Sequence, residues 1–161
     1  MADLSLYEQN AEAIAKALLD GKIIRNLPEG KLIGRILGTG SYEDGRPVQS
    51  RRGMLYDSGK IFLMPFRGLT SLNIATDIRA IPSCVEIRAA EFDGQIIETP
   101  YKLAKFLSLD YKIPEKNLDG RLLGDELCIE LPEKPIPEDC IIINRPNTKS
   151  ENCISYYSFK K

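Results

Sequence analysis

The sequence predicts an α+β protein that is predominantly antiparallel β, a meander or partly closed barrel with two short helices packed on it. Three observations carry that expectation. Asp-Gly occurs at Asp44-Gly45, Asp93-Gly94 and Asp119-Gly120, each followed by strand-like residues: Arg46-Pro47-Val48, Gln95-Ile96-Ile97 and Arg121-Leu122-Leu123. Both central residues of a type I′ hairpin turn need positive φ, which Gly adopts without strain and Asp tolerates. From Lys31 onward the apolar residues come in short runs separated by turn residues. Only two stretches show helical spacing, each with a start signal.

The first helix is expected behind Ser5 and Glu8, whose spacing suits a capping box. Leu6, Ala11, Ile14, Ala15, Leu18 and Leu19 supply its apolar face, and Gly21 stands where a C-cap belongs. Lys31 to Tyr42 reads as a strand, with Gly34, Gly38 and Gly40 marking a bend or bulge. The Asp44-Gly45 turn then leads to Val48 and Gly53–Tyr56, and Asp57-Ser58-Gly59 turns the chain into Lys60–Met64, giving a three-stranded meander. Pro47 cannot donate to a ladder, so the middle strand is expected at an edge. Between Pro65 and Pro82, Leu69–Ile74 fits either a strand or a helical turn.

Cys84–Phe92 and Gln95–Glu98 form the clearest hairpin, closed by Asp93-Gly94. Thr99-Pro100 opens the second helix: Thr caps well, and Pro at the first position gives up a donor that has no partner there. Leu103, Ala104, Phe106 and Leu107 form its apolar face, and a loop through Pro114 and Asn117 reaches the third Asp-Gly turn. Further strands are expected at Leu122-Leu123, Leu127–Leu131, Cys140–Ile143 and Cys153–Phe159, with Pro132, Pro135 and Pro137 stiffening one crossing and Asn144–Asn152 a polar turn. No linker, heptad, repeat or low-complexity segment divides the chain, so residues 1–161 read as one domain.

Composition narrows the functional classes. The chain is 43% hydrophobic and 28% charged, without Trp, so its core must rest on Leu and Ile. No apolar run approaches the roughly 18 to 20 residues of a membrane-spanning helix. The first residues lack the basic and apolar regions of a secretory signal, so a cytoplasmic protein is expected. Cys84, Cys128, Cys140 and Cys153 are separated by 44, 12 and 13 residues. Such gaps suit neither a structural zinc site nor a dense disulfide scaffold, and free thiols are expected. Net charge is −1, yet residues 46–90 carry seven cations against three anions and residues 91–140 twelve acids against six bases.

The absence of His removes the commonest general base and metal ligand. Gly34–Gly40 has neither the Walker nor the dinucleotide spacing, and Ser58-Gly59-Lys60 runs into a strand. No local signature supplies a base to a Ser or Cys nucleophile. Carboxylates remain: Asp77, Glu86 and Arg88 loosely resemble the acidic pair and following cation of a restriction-type nuclease core. Two carboxylates there would share a divalent metal, although Arg replaces the usual Lys. The basic segment offers a different chemistry. Arg46, Arg51, Arg52, Lys60 and Arg67 with Tyr56 and Phe66 interleave cations and aromatic rings, as surfaces for single-stranded polyanions do.

The leading expectation is therefore a non-enzymatic binding or assembly module without a cofactor. Its partner is a protein, a second copy of itself, or an anionic polymer such as nucleic acid met through the 46–90 segment. The alternative is a small metal-dependent nuclease or hydrolase using Asp77, Glu86 and Arg88, and a third reading is a barrel holding a ligand. The run Cys140-Ile141-Ile142-Ile143 has no polar alternation and is expected to seek burial on both faces. A homo-oligomer or a stable partner would provide that cover; the competing expectation is that the N-terminal helix does.

Overall fold

Among the residues that the computed structural model describes, two segments meet the requirements of an α-helix. The described residues are 7, 10–42, 58–66, 69–76, 83–109, 121–122, 126–145 and 154–159, with backbone only for 65, 66, 121 and 122. Helix α1, Ala11–Ala17, buries Ala11, Ile14 and Ala15, as the spacing predicts. Its cap is Asn10, whose Oδ1 accepts from the Ala13 N–H at 2.8 Å; Ser5 and Glu8 lie outside the described residues. The C-cap is Leu18 rather than Gly21, and Asp20 takes the positive φ of 71°. Gly21 is needed for a different reason: a Cβ there would sit 2.5 Å from the Glu130 carbonyl oxygen.

Helix α2, Pro100–Phe106, starts as expected, with Thr99 Oγ1 accepting from the Lys102 N–H and Pro100 in the first turn. Thr99 has φ 112°, a strained value for a β-branched residue. No helix among the described residues is long and apolar enough to cross a membrane.

Most of the other described residues form one ten-stranded sheet, curled into a half-barrel, in which every pairing is antiparallel. The strands are β1 (Lys22–Leu27), β2 (Gly30–Tyr42), β3 (Ile61–Phe66), β4 (Leu69–Ala75), β5 (Cys84–Phe92), β6 (Gln95–Glu98), β7 (Arg121–Leu122), β8 (Leu127–Glu130), β9 (Ile141–Asn144) and β10 (Ile154–Phe159). Leu69–Ile74 is thus strand, and its pairing with β3 from Ile61↔Ile74 to Phe66↔Leu69 settles the ambiguity. Strand β1 was not foreseen.

The spatial order β7-β3-β4-β5-β2-β1-β8 corrects the expected meander, because β4 and β5 lie between β2 and β3. Its middle strand, with Pro47 and Asp44-Gly45, lies outside the described residues, as does the Asp119-Gly120 turn.

Both long strands divide one edge between two partners. Residues Gly30–Arg35 of β2 pair with β1, and Gly38–Tyr42 pair with β10. On β5, Cys84–Glu86 pair with β4 and Ala89–Phe92 with β6. The principal core lies where the helices cover the sheet, and includes Ile14, Leu18, Ile36, Leu72, Ile87 and Leu103. A smaller cluster contains Phe62, Ala75 and Cys84. Cys84, Cys128 and Cys140 carry no disulfide; Cys153 lies outside the described residues.

One buried cation ties the layers together. Arg25 of β1 donates from Nε to the Leu107 carbonyl at 2.8 Å, and from Nη1 to the carbonyls of Glu126 at 2.9 Å and Asn26 at 3.1 Å. Nη2 reaches the Ser108 carbonyl at 3.4 Å. The fork joins the end of α2 to β1 and the approach to β8, and gives several carbonyls a donor. Replacing Arg25 with Met keeps the stem but strands those carbonyls. The expected loss is about 2 to 4 kcal/mol in urea unfolding, because unmet buried polar groups cost more than the bonds contributed.

The Asp93-Gly94 hairpin has the predicted geometry, with φ of 49° and 82°. A Cβ at Gly94 would meet nothing within 4 Å, so Gly94→Val tests backbone strain alone. It should lower stability by about 1 to 3 kcal/mol, and an unchanged melting temperature would contradict the turn assignment.

Candidate functional site

The β2–β5 ladder is interrupted where Ile36↔Ala90 gives way to Gly38↔Ala89 and then Thr39↔Ile87. Leu37 is the extra residue on β2 and Arg88 the extra residue on β5. An extra residue breaks the alternation of a strand and re-aims its neighbours. The glycines of β2 marked this irregularity in the sequence. Leu37, Gly38, Arg88 and Ala89 all line one groove of about 480 Å³. Ile96 and Glu98 of β6, Tyr156 and Ser158 of β10, and Asn144 of β9 continue its walls. The groove is therefore a product of five strands.

Arg88 is its fixed cation. The guanidinium carbon lies 3.7 Å from the centroid of the Tyr156 ring, and Nη1 donates to Glu86 Oε1 at 2.5 Å. The same carboxylate oxygen accepts from the Tyr42 hydroxyl at 3.1 Å. Gly40, paired with both Glu86 and Tyr156, makes room for the stack. A Cβ there would stand 3.1 Å from both Arg88 Cδ and Tyr156 Cδ1. The stem of Arg88 and the aromatic ring thus lie over bare backbone, and two contacts hold the guanidinium in one orientation.

Burial sets the electrostatics. Desolvation pushes the Glu86 carboxyl above its ordinary value, although Arg88 and hydrogen bonds from Tyr42, Arg88 and Ser71 pull the other way. Tyr42 is pushed far up, first by burial and then by the neighbouring Glu86. For Arg88, burial opposes the charge, but Glu86, Tyr156 and Tyr42 together raise its pKa. The pair is a half-buried cation anchored on a buried acid.

Of the residues nominated from sequence, the structure brings together Glu86 and Arg88. Their spacing on β5 places them on one surface, and the bulge turns Arg88 toward the groove. Asp77, the other member of the proposed carboxylate pair, lies outside the described residues. Glu86 already receives Tyr42 and Arg88, and no group of three Cys, Asp or Glu residues suited to a metal occurs among the described residues. Lys60 is exposed just before β3 and does not line the groove. Phe66 ends β3 opposite Leu69, described by its backbone only. Arg46, Arg51, Arg52, Tyr56 and Arg67 lie outside the described residues.

Sequence reasoning missed Tyr42 and Tyr156 as partners of this pair. Gly40, on the same strand as Tyr42, was the available signal, but Tyr156 is brought in by a distant strand. Comparison of the chain with known protein families finds no family model that matches it, and comparison with curated proteins finds no match either.

Glu86 gives a pH test. A carboxyl whose pKa is higher folded than unfolded holds its proton more tightly when folded. Its contribution is present at low pH and declines as pH rises from near its ordinary value of 4.5 through the folded value. The stability difference between the native protein and Glu86→Gln should therefore shift against the native protein over that interval. Urea midpoints between roughly pH 4 and pH 8 would show it, and a difference independent of pH would contradict the assignment.

Proposed function

We propose that this protein is a non-enzymatic binding and assembly module, cytoplasmic in setting, that receives a polypeptide partner along the groove and the neighbouring sheet edge. The observation that carries the reading is the pre-positioned Arg88, stacked on Tyr156 and anchored by Glu86 inside an open groove. A cation held in place before binding loses little conformational freedom when it meets a partner's carboxylate or carbonyl. The other walls mix apolar Leu37 and Ile96 with acidic Glu98 and neutral Asn144 and Ser158. Such mixed polarity suits a peptide segment better than a run of phosphates, which would have to pass Glu98. Strand β9, bordering the groove through Asn144, supports the assembly side of the reading.

The anionic-polymer reading and the nuclease reading make different demands, and one set of measurements separates them. The protein is panned against a displayed random-peptide library, and its binding to a fluorescent single-stranded oligothymidylate is followed across a salt series. Enrichment of peptides that Arg88→Ala fails to enrich is the expected result. Oligothymidylate binding that falls steeply with salt and needs Arg88 would replace the peptide by a polyanion. Magnesium-dependent nicking of a plasmid that is lost in Glu86→Gln would favour the enzyme. Absence of all these activities would remove the groove as a functional site.

A further inference from the structure

Strand β9 is an edge among the described residues. There it pairs with β10 alone, in the register Asn144↔Tyr156 to Ile141↔Phe159. Its outer side therefore presents a row of backbone donors and acceptors ready for another strand. The side chains add a second demand. Ile142 and Ile143 are 44% and 42% exposed, among the large apolar residues most open to solvent. Successive residues of a strand point to opposite faces, so both faces of this edge are apolar. The expectation that α1 would cover the strand is not met. Only Ile141 turns toward the groove beside that helix, with Ala13, Ala17 and Ile136.

We propose that two copies of this chain join through β9 in an antiparallel pairing about a two-fold axis at Ile142, making one continuous sheet. This rests on the assembly half of the reading above and names its partner. The register follows from three constraints. In an antiparallel pair, a residue whose N–H and C=O point outward must meet one that does the same. For a strand pairing with its own copy, opposed residues must therefore both be odd-numbered or both be even-numbered. Centring the axis on Ile142 sets Ile142 against the partner's Ile142 and Ile143 against the partner's Ile141, so each exposed isoleucine is covered by another.

The charges flanking the strand select the same register. Asp139 lies in the single 3-10 turn Glu138–Cys140 that leads into β9, Arg145 lies just after the strand, and both are exposed. With the axis at Ile142 the turn carrying Asp139 and the strand end carrying the partner's Arg145 come to the same end of the new ladder, and symmetry repeats the juxtaposition at the other end. Moving the axis to Ile143 sets Ile142 against the partner's Asn144 and Arg145 against the partner's Ile141. Moving it to Ile141 leaves Ile143 facing the partner's 3-10 turn instead of its strand. A parallel arrangement would bring like charges together at both ends. One register covers both isoleucines and also pairs the charges.

Self-pairing is favoured over pairing with β8. Among the described residues β8 pairs with β1 alone, but it alternates buried Leu127 and Ile129 with exposed Cys128 and Glu130. It offers no apolar surface to Ile142, and joining β9 to β8 would generate open-ended chains instead of a closed pair. The dimer also sets the two grooves on the same face near the axis, since Asn144 belongs to both the strand and the groove.

A contact of one short strand is small, so the dissociation constant is expected in the micromolar range. Light scattering of the whole chain across roughly 1 to 500 µM should show the mass rising from one chain toward two. Ile142→Lys should remain monomeric throughout, with the native far-ultraviolet circular dichroism spectrum. Asp139→Lys should weaken association about tenfold or more, and adding Arg145→Glu to it should restore most of the loss. On mild oxidation, Ile142→Cys should form a disulfide-linked dimer across the axis, beyond that of the native protein under the same treatment, and Ile143→Cys should not.

A native protein that stays monomeric over this range overturns the proposal. So does a dimer that Ile142→Lys leaves intact, or one in which neither the charge substitutions nor the cross-linking of Ile142→Cys follows the stated register. The groove reading fails separately. Arg88→Ala lies off the interface and should leave association unchanged, so peptide binding without a dimer sinks only the dimer, and a dimer without peptide binding sinks only the groove.

Discussion

The pairing of β2 with β5 is the constraint on which the rest of the molecule depends. These are the two longest strands among the described residues, and each divides its other edge between two partners. A flat, regular ladder could not do this, because strands leaving in two directions from one edge require a change of course along it. The opposed irregularities at Leu37 and Arg88 supply that change. Below them the edge of β2 belongs to β1 and above them to β10, with the turn from α1 held at the division, where the Asp20 N–H meets the Ile36 carbonyl. The local break in the sheet thus decides where the first helix enters, where β10 and β9 attach, and which way Arg88 points.

Two buried charges show how differently the sheet satisfies an ion. Arg25 meets carbonyl oxygens alone, and its planar fork collects groups from α2, β1 and the approach to β8. Glu86 meets the hydroxyls of Tyr42 and Ser71 and a guanidinium, and remains costly to ionise. The first arrangement is fully internal and joins layers. The second lies beside a groove, with the cation half open to solvent, so a partner at Arg88 would act on a group whose position is already determined. Burial in each case leaves rigidity behind, since a displaced charge would have to be desolvated without its partners.

The sheet's ends carry the remaining tension. Strand β8 protects itself by alternating its side chains, with Leu127 and Ile129 inward and Cys128 and Glu130 outward. Strand β9 has no such alternation, and among the described residues it lies at an edge rather than at the centre. Its apolar run is consequently a place where this architecture departs from what a lone chain in water would favour. In the proposed pairing, Asp139 and Arg145 at its two ends favour an antiparallel partner.

What the sequence determined by itself was local: the caps and turns at Thr99-Pro100 and Asp93-Gly94, the irregular glycine-rich strand, the periodicity of both helices, and an antiparallel class of fold. These depend on φ preferences and on side chains a few residues apart. Strand β1 escaped notice because Lys22, Arg25 and Asn26 interrupt its apolar pattern, and Arg25 makes sense only against the carbonyls of Leu107 and Glu126. Gly21 looked like a helix cap, whereas its reason is the backbone of Glu130. Glu86 and Arg88 were legible as neighbours on one strand; their partners were not, since Tyr42 and Tyr156 come from elsewhere in the chain. The order of the strands was likewise decided only by tertiary structure. Which strands pair depends on how all the apolar faces can be buried together around connections of given length, a condition on the whole chain that no short window of residues contains.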